Sequence, residues 1–177
     1  MSEATCNTIP AGIVLREACE ADIPKIAAVV NAAFEVESFF VNRPRTYPAQ
    51  LAEHFRSGHF LVALDGAEVI ASVYYELRGE RGYIGMLAVR PDWQHRGLGS
   101  AMTGAAEEML RREGCRVAEL LVVDLRTALI GAYGKLGYLE TGIEEPPEEM
   151  RIKLTRPVKL VKMEKPLRPE AGYPRSI

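Results

Sequence analysis

The sequence predicts an α+β domain, a mixed and mostly antiparallel central sheet flanked by helices. Three observations carry this expectation. Turn signals at Asp65-Gly66 and at Arg78-Gly79-Glu80-Arg81-Gly82 cut an apolar stretch into a three-strand meander. Its third strand feeds through a glycine-bearing loop, Gln94 to Gly99, into a long amphipathic pattern. Beyond that helix, Val117 to Val123 is almost continuously apolar, which suits a buried parallel neighbour of the preceding strand.

Each element has its own signal. Residues 1–11 are polar and read as a flexible N-terminus. Ile13 to Glu17 reads as a first strand. Asp22 is a candidate N-cap and Pro24 falls in the first turn of the helix that follows. Ile26, Val29, Val30, Ala33 and Phe34 recur there at helical spacing. Phe39 to Pro48 is an aromatic, proline-containing connection, and Pro48 to Arg56 a second helix ended by Ser57-Gly58. The meander strands are Phe60 to Leu64, Glu68 to Leu77 and Tyr83 to Val89. In the long helix Leu98, Met102, Ala105, Met109 and Leu110 form a stripe that should lie on the sheet, and Gly114 is the expected C′ residue. Thr127 to Leu136 is a fourth helix stopped by Gly137. Tyr138 to Ile143 and Val158 to Met163 close the sheet around an acidic loop, Glu144 to Arg156. The domain is expected over residues 12–165, with 166–177 a flexible tail.

The loop between the third meander strand and the long helix has the physics of a phosphate site. A helix start offers backbone N–H groups without internal acceptors, and the macrodipole adds partial positive charge. Glycine lets the backbone approach a ligand closely, and Arg96 can add a charge-assisted bond. Spacing separates the patterns that share this outline. Gly99 and Gly104 have P-loop spacing, but Ala105 and Ala106 stand where Lys and Ser/Thr belong. Gly97 and Gly99 begin a dinucleotide fingerprint, but Met102 replaces its third glycine. Gln94-His95-Arg96-Gly97-Leu98-Gly99 fits [QR]-x-x-G-x-[GA] throughout.

With that hexapeptide, the block Ala132-Tyr133-Gly134-Lys135-Leu136-Gly137-Tyr138 and the opening Arg16, Ala18, Asp22, the sequence resembles the GNAT superfamily of N-acetyltransferases from residue 13 to about residue 165. The resemblance implies the GNAT fold and acetyl-CoA as co-substrate, without a metal. It implies that the amides of His95, Arg96, Gly97, Leu98, Gly99 and Ser100, with Gln94, wrap the pyrophosphate. It implies that Leu87, Ala88 and Val89 pair their backbone with the pantetheine arm, and that Tyr133 is the catalytic acid. The family's asparagine seven positions before this tyrosine is Arg126 here, and either Arg126 or the neighbouring Thr127 is the candidate replacement contact. The implied activity is direct transfer of acetyl from the thioester to a primary amine of a small molecule or protein. A coenzyme A-binding regulatory module without catalysis is the alternative.

No general base is legible. Tyr74 and Glu76 share one phase of a strand, and Glu35 and Glu37 follow the first helix, where carboxylates are ordinarily solvated. At pH 7, neutralising a lysine-like amine costs about 4.6 kcal/mol against about 1.4 kcal/mol for an α-amine, so a missing strong base favours a low-pKa acceptor. The run Glu144-Glu145-Pro146-Pro147-Glu148-Glu149 could border the acceptor cleft and attract a cationic amine.

Composition narrows the remaining classes. Length suits one domain with a sizeable core. Lys+Arg 22 against Asp+Glu 24 offers no broad footprint for nucleic acid. Cys6, Cys19 and Cys115 read as reduced thiols of a cytoplasmic protein. No apolar stretch approaches a membrane span. A homodimer is left open, since many members of the family pair.

Overall fold

The structure, a computed structural model, describes residues 9–42 and 44–167. Seven strands form one sheet: β1 (Ile13–Glu17), β2 (His59–Asp65), β3 (Glu68–Arg78), β4 (Arg81–Val89), β5 (Val117–Val123), β6 (Leu139–Glu144) and β7 (Leu160–Pro166). Their order is β1-β2-β3-β4-β5-β7-β6. Every neighbouring pair is antiparallel except β4 and β5. The helices are α1 (Ile23–Ala33), α2 (Pro48–Ser57), α3 (Leu98–Arg112), α4 (Thr127–Lys135) and a single turn, α5 (Glu148–Arg151), inside the acidic loop. This is the mixed α+β architecture expected from the sequence. Among the described residues no helix is long and apolar enough to cross a membrane.

The meander follows its turn chemistry. Gly66, at φ +58, starts the two-residue link from Asp65 to its partner Glu68. The second turn is tighter than the sequence suggests: Arg81 already pairs with Arg78, so Gly82 lies inside β4. A Cβ on Gly82 would sit 2.3 Å from Leu110 Cδ2, so the missing side chain is what lets α3 close onto the sheet.

Alternation along β2 splits the core. Phe60 and Val62 face α1 and α2, packing with Ile26, Val30 and Leu51. Leu61 and Ala63 share the other cluster with Leu98, Met102, Ala106 and Leu110 of α3. The α3 stripe is rotated from expectation: Ala101 and Ala106 are buried, whereas Ala105 and Met109 are only partly so. The rotation takes Glu107 into the interior, where it accepts bonds from the Tyr138 hydroxyl (2.9 Å), Lys165 Nζ (2.8 Å) and Arg111 Nη2 (3.3 Å).

Two expectations at the ends change. Asp22 does not cap α1 with its side chain; it closes the short 3-10 turn before the helix, accepting the Cys19 N–H at 2.9 Å and both ends of the Arg16 guanidinium. That pairing holds its carboxyl well below the usual range. At the other end, β7 continues through Pro166 and Leu167 is buried, because the Glu107 carboxylate anchors Lys165. The rest of the two expected flexible segments, residues 1–8 and 168–177, lies outside the described residues.

The sheet is rich in buried tyrosine. Burial raises Tyr74, Tyr75 and Tyr138, with Tyr75 pushed up to about 12. A folded value above the unfolded one, near 10, means that unfolding releases protons once the pH exceeds 10. The corresponding stability is complete below about pH 10 and drains away as pH rises toward 12. The urea midpoint is therefore expected to be flat from pH 8 to 9 and to fall from pH 10 to 11. A constant midpoint at pH 11 would contradict the burial of these phenols.

Candidate active site

β4 and β5 are joined only at one end. Their pairing runs from Arg81↔Val117 to Tyr83↔Glu119 and stops, although both strands go on. The cause is a bulge in β4. Ser72 pairs with Ala88 and Tyr74 with Gly85, so Met86 and Leu87 together stand opposite Val73. Met86 absorbs the extra residue at φ +48. The strands splay and a cavity of about 300 Å³ opens between them. Gly85, Met86 and Leu87 form one wall and Leu120 to Val123 the other.

The 94–99 loop stands at the end of β4. Arg90 N–H bonds Ile70 O and the Gln94 side chain donates to Val89 O at 3.0 Å, which fixes the corner between strand and loop. His95 and Gly97 take positive φ, +62 and +78, so the chain turns its amides outward. The first bond of α3 runs from Ala101 N–H to Gly97 O. From His95 to Gly99, five successive N–H groups have no acceptor among the described residues. Leu98 is buried and contributes only its main chain. Arg96 lies over the Trp93 ring, 4.7 Å from its centroid, and donates to Asp92 O at 2.9 Å. Its guanidinium is thus steadied beside the loop.

Tyr133 reaches the cavity from α4, with its ring edge-on to Tyr138 at 5.6 Å. It is 7% exposed, and its hydroxyl has no hydrogen bond among the described residues. Burial raises its pKa well above that of a free phenol.

Not every expected side chain lines the cavity, although the expectation for residues 87–89 concerns their backbone. Leu87 lines the cavity, whereas Ala88 is buried against α1 and Val89 packs toward α3. Thr127 is exposed at the start of α4 and is not part of the cavity wall. Arg126 is in the wall, but its Nη1 is committed to Glu37 Oε1 at 2.7 Å.

Glu37 corrects the expectation of a solvated carboxylate. It is 5% exposed, on the 3-10 turn after α1, and faces the cavity. Burial raises its carboxyl above the ordinary range; the Arg45 and Arg126 guanidiniums oppose this without cancelling it. Glu76, by contrast, is lowered by the Arg78 guanidinium and accepts the Tyr74 hydroxyl at 3.0 Å. The acidic run reaches the site through Pro147 and Glu149, while Glu145 pairs with Lys159. The connection after α1 and the acidic loop meet beside the cavity, Asn42 N–H bonding Lys153 O and Thr155 N–H bonding Phe40 O.

Comparison with known proteins agrees with this geometry. Residues 29–138 match the acetyltransferase (GNAT) family. An acetyltransferase of Pectobacterium atrosepticum is 38% identical over 79 residues, 45% of this chain and 56% of the relative. One of Sodalis glossinidius is 37% identical over the same shares. The chain thus spans about half the length of these curated relatives. Among solved structures, Ard1 of Thermoplasma volcanium superposes with a TM-score of 0.73 at 16% identity, covering 89% of this chain and 99% of that one. An acetyltransferase of Salmonella typhimurium, solved with its cofactor acetyl-CoA, gives 0.69 at 19% identity, covering 93% and 99%.

Proposed function

The chain belongs to the acetyltransferase (GNAT) family, and from that premise we propose that it moves an acetyl group from acetyl-CoA directly to a primary amine of a small molecule or protein. The observation that carries this reading is the continuity of loop and cleft: Leu87, in the cavity wall, is also the side chain that a Cβ on Gly99 would meet. Five acceptor-free amides therefore adjoin the split between β4 and β5, with a phenol further along it.

The residues fit the cofactor. A diphosphate matches the amides of residues 95–99 and the partial positive charge of a helix as long as α3. An extended arm matches the β4 edge that β5 leaves unpaired. When bound, acetyl-CoA supplies an acyl thioester, and the C–S bond breaks as the C–N bond forms. Glu37 accepts the proton that the amine must lose, its raised pKa making it a better base than a solvated carboxylate. Tyr133 donates its hydroxyl to the departing sulfur, to which the electron pair passes.

Gly99 gives a test that separates binding from folding. An alanine there meets protein only at 3.9 Å, from Leu87 Cδ2 and Val89 Cγ2, and its φ needs no glycine. Alanine is also the better helix former by about 1 kcal/mol. Since the pattern accepts alanine at this position, Gly99→Ala is expected to leave coenzyme A affinity within about twofold, whereas Gly99→Asp, an acid that the first turn of a helix accepts, is expected to hold the melting temperature while weakening coenzyme A by about tenfold in calorimetry. Unchanged affinity in Gly99→Asp would remove the loop from the cofactor site. Thiol release from acetyl-CoA with a panel of amines tests the reaction itself. Coenzyme A binding without amine-dependent thiol release would leave a binding module in place of an enzyme.

A further inference from the structure

Arg45 is a cation without a hydrogen-bond acceptor among the described residues. It lies in the cavity wall, on the connection between α1 and α2. Its Nε is fully buried and has no hydrogen-bond acceptor, and no other nitrogen of its guanidinium has one among the described residues. A buried donor left unpaired is costly, and a charged one more so. The group is nevertheless held in place. Its Cζ stacks 5.0 Å above the Phe34 ring, itself part of the wall. The next residue, Thr46, is gripped in both directions by Asn31 of α1, which accepts the Thr46 N–H at 3.0 Å and donates to its carbonyl at 3.1 Å. A guanidinium so fixed is organised for something that arrives from outside the chain.

The charges around it say what arrives. The wall holds Arg45, Arg126 and Lys153 against Glu37 and Glu149, with His54 alongside. Glu37 bonds Arg126 at 2.7 Å and also feels the Arg45 charge, so one carboxylate faces two guanidiniums and hydrogen-bonds only one of them. An amine bringing only positive charge would enter a cavity with an excess cation. An amine bringing its own carboxylate would complete it, because a carboxylate accepts the planar N–H fork of arginine two bonds at a time.

Resting on the acetyltransferase reading above, we propose that the acceptor is a free amino acid: its carboxylate docks on Arg45, and its amine turns toward Glu37.

The test compares each common L-amino acid with its own α-amide, by thiol release from acetyl-CoA, in the full chain and in Arg45→Gln and Arg45→Lys. Some amino acid is expected to exceed its amide by about tenfold or more in kcat/KM, the range of a charge-assisted pair. Arg45→Gln is expected to erase that ratio through the acceptor KM, with the KM for acetyl-CoA unchanged, and Arg45→Lys to restore part of it. The unchanged acetyl-CoA KM also shows that the variant is folded. Amides or simple amines that react as fast as the acids, or a preference that survives Arg45→Gln, would overturn the carboxylate site and leave the acetyltransferase intact. No thiol release with any amine would instead defeat the acetyltransferase reading. Titration of the amino acids into protein loaded with coenzyme A then reads Arg45 alone, and equal heats for acid and amide would defeat the site too.

Discussion

Tyr133→Phe is expected to lower kcat by about a hundredfold while leaving the KM for acetyl-CoA within about twofold, the pattern of an interaction made only as the bond breaks. The substitution removes one oxygen from a ring that stays packed against Tyr138. That oxygen bonds nothing among the described residues, so its loss breaks no hydrogen bond in the free protein. The cost then falls on the step in which sulfur leaves.

The pKa decides what the phenol does there. A free phenol at about 10 is already a weaker acid than a thiol at about 8.5, so handing its proton fully to the thiolate is uphill by about 2 kcal/mol. Burial moves Tyr133 further the same way. A hydrogen bond to the developing thiolate is the role that fits, because it needs the proton held and not released. The pH profile should show this. Below pH 10 no alkaline limb belongs to Tyr133, since its raised pKa keeps it protonated. The acid limb belongs to Glu37, active only when ionised, so activity falls as pH drops through a value above the ordinary carboxylate range. That limb should persist unchanged in Tyr133→Phe. A kcat within about threefold of the parent would assign the phenol to packing.

What could be read beforehand follows locality. The loop was legible because its conformation is written in its own residues: Gly97 supplies a positive φ, and α3 starts beside it. Pro24, Pro48 and Gly137 mark helix boundaries in the same local way. The cleft was not legible, since it depends on Met86 taking φ +48, and nothing about methionine announces a bulge. Glu37 was misjudged for a related reason. Its neighbours Glu35 and Val36 are exposed, and what buries it includes Arg126, 89 residues away. Arg45 sits in the proline-containing connection after α1, and only tertiary structure reveals that its Nε is buried without an acceptor.

Glu107 is the other side chain whose role depends on distant residues, and Glu107→Ala is expected to carry the largest stability cost, about 3 kcal/mol. On sequence it belongs to the polar side of α3, yet it is 3% exposed. It gathers the Tyr138 hydroxyl from the end of α4, Lys165 from β7 and Arg111 from its own helix. Removing it strands these partners unequally. Lys165 and Arg111 keep a quarter of their side chains in solvent and can turn outward, but Tyr138 is buried and cannot. The penalty is therefore one orphaned hydroxyl, one loosened strand end and a small void, in place of a full buried charge. For a chain of this size it corresponds to a melting temperature lower by roughly 6–12 °C. Tyr138→Phe should cost about 1 kcal/mol in the parent and almost nothing in Glu107→Ala, because the bond it removes is already gone. Additive losses would mean that the carboxylate and the phenol act separately, and that α3 is held to β7 by packing alone.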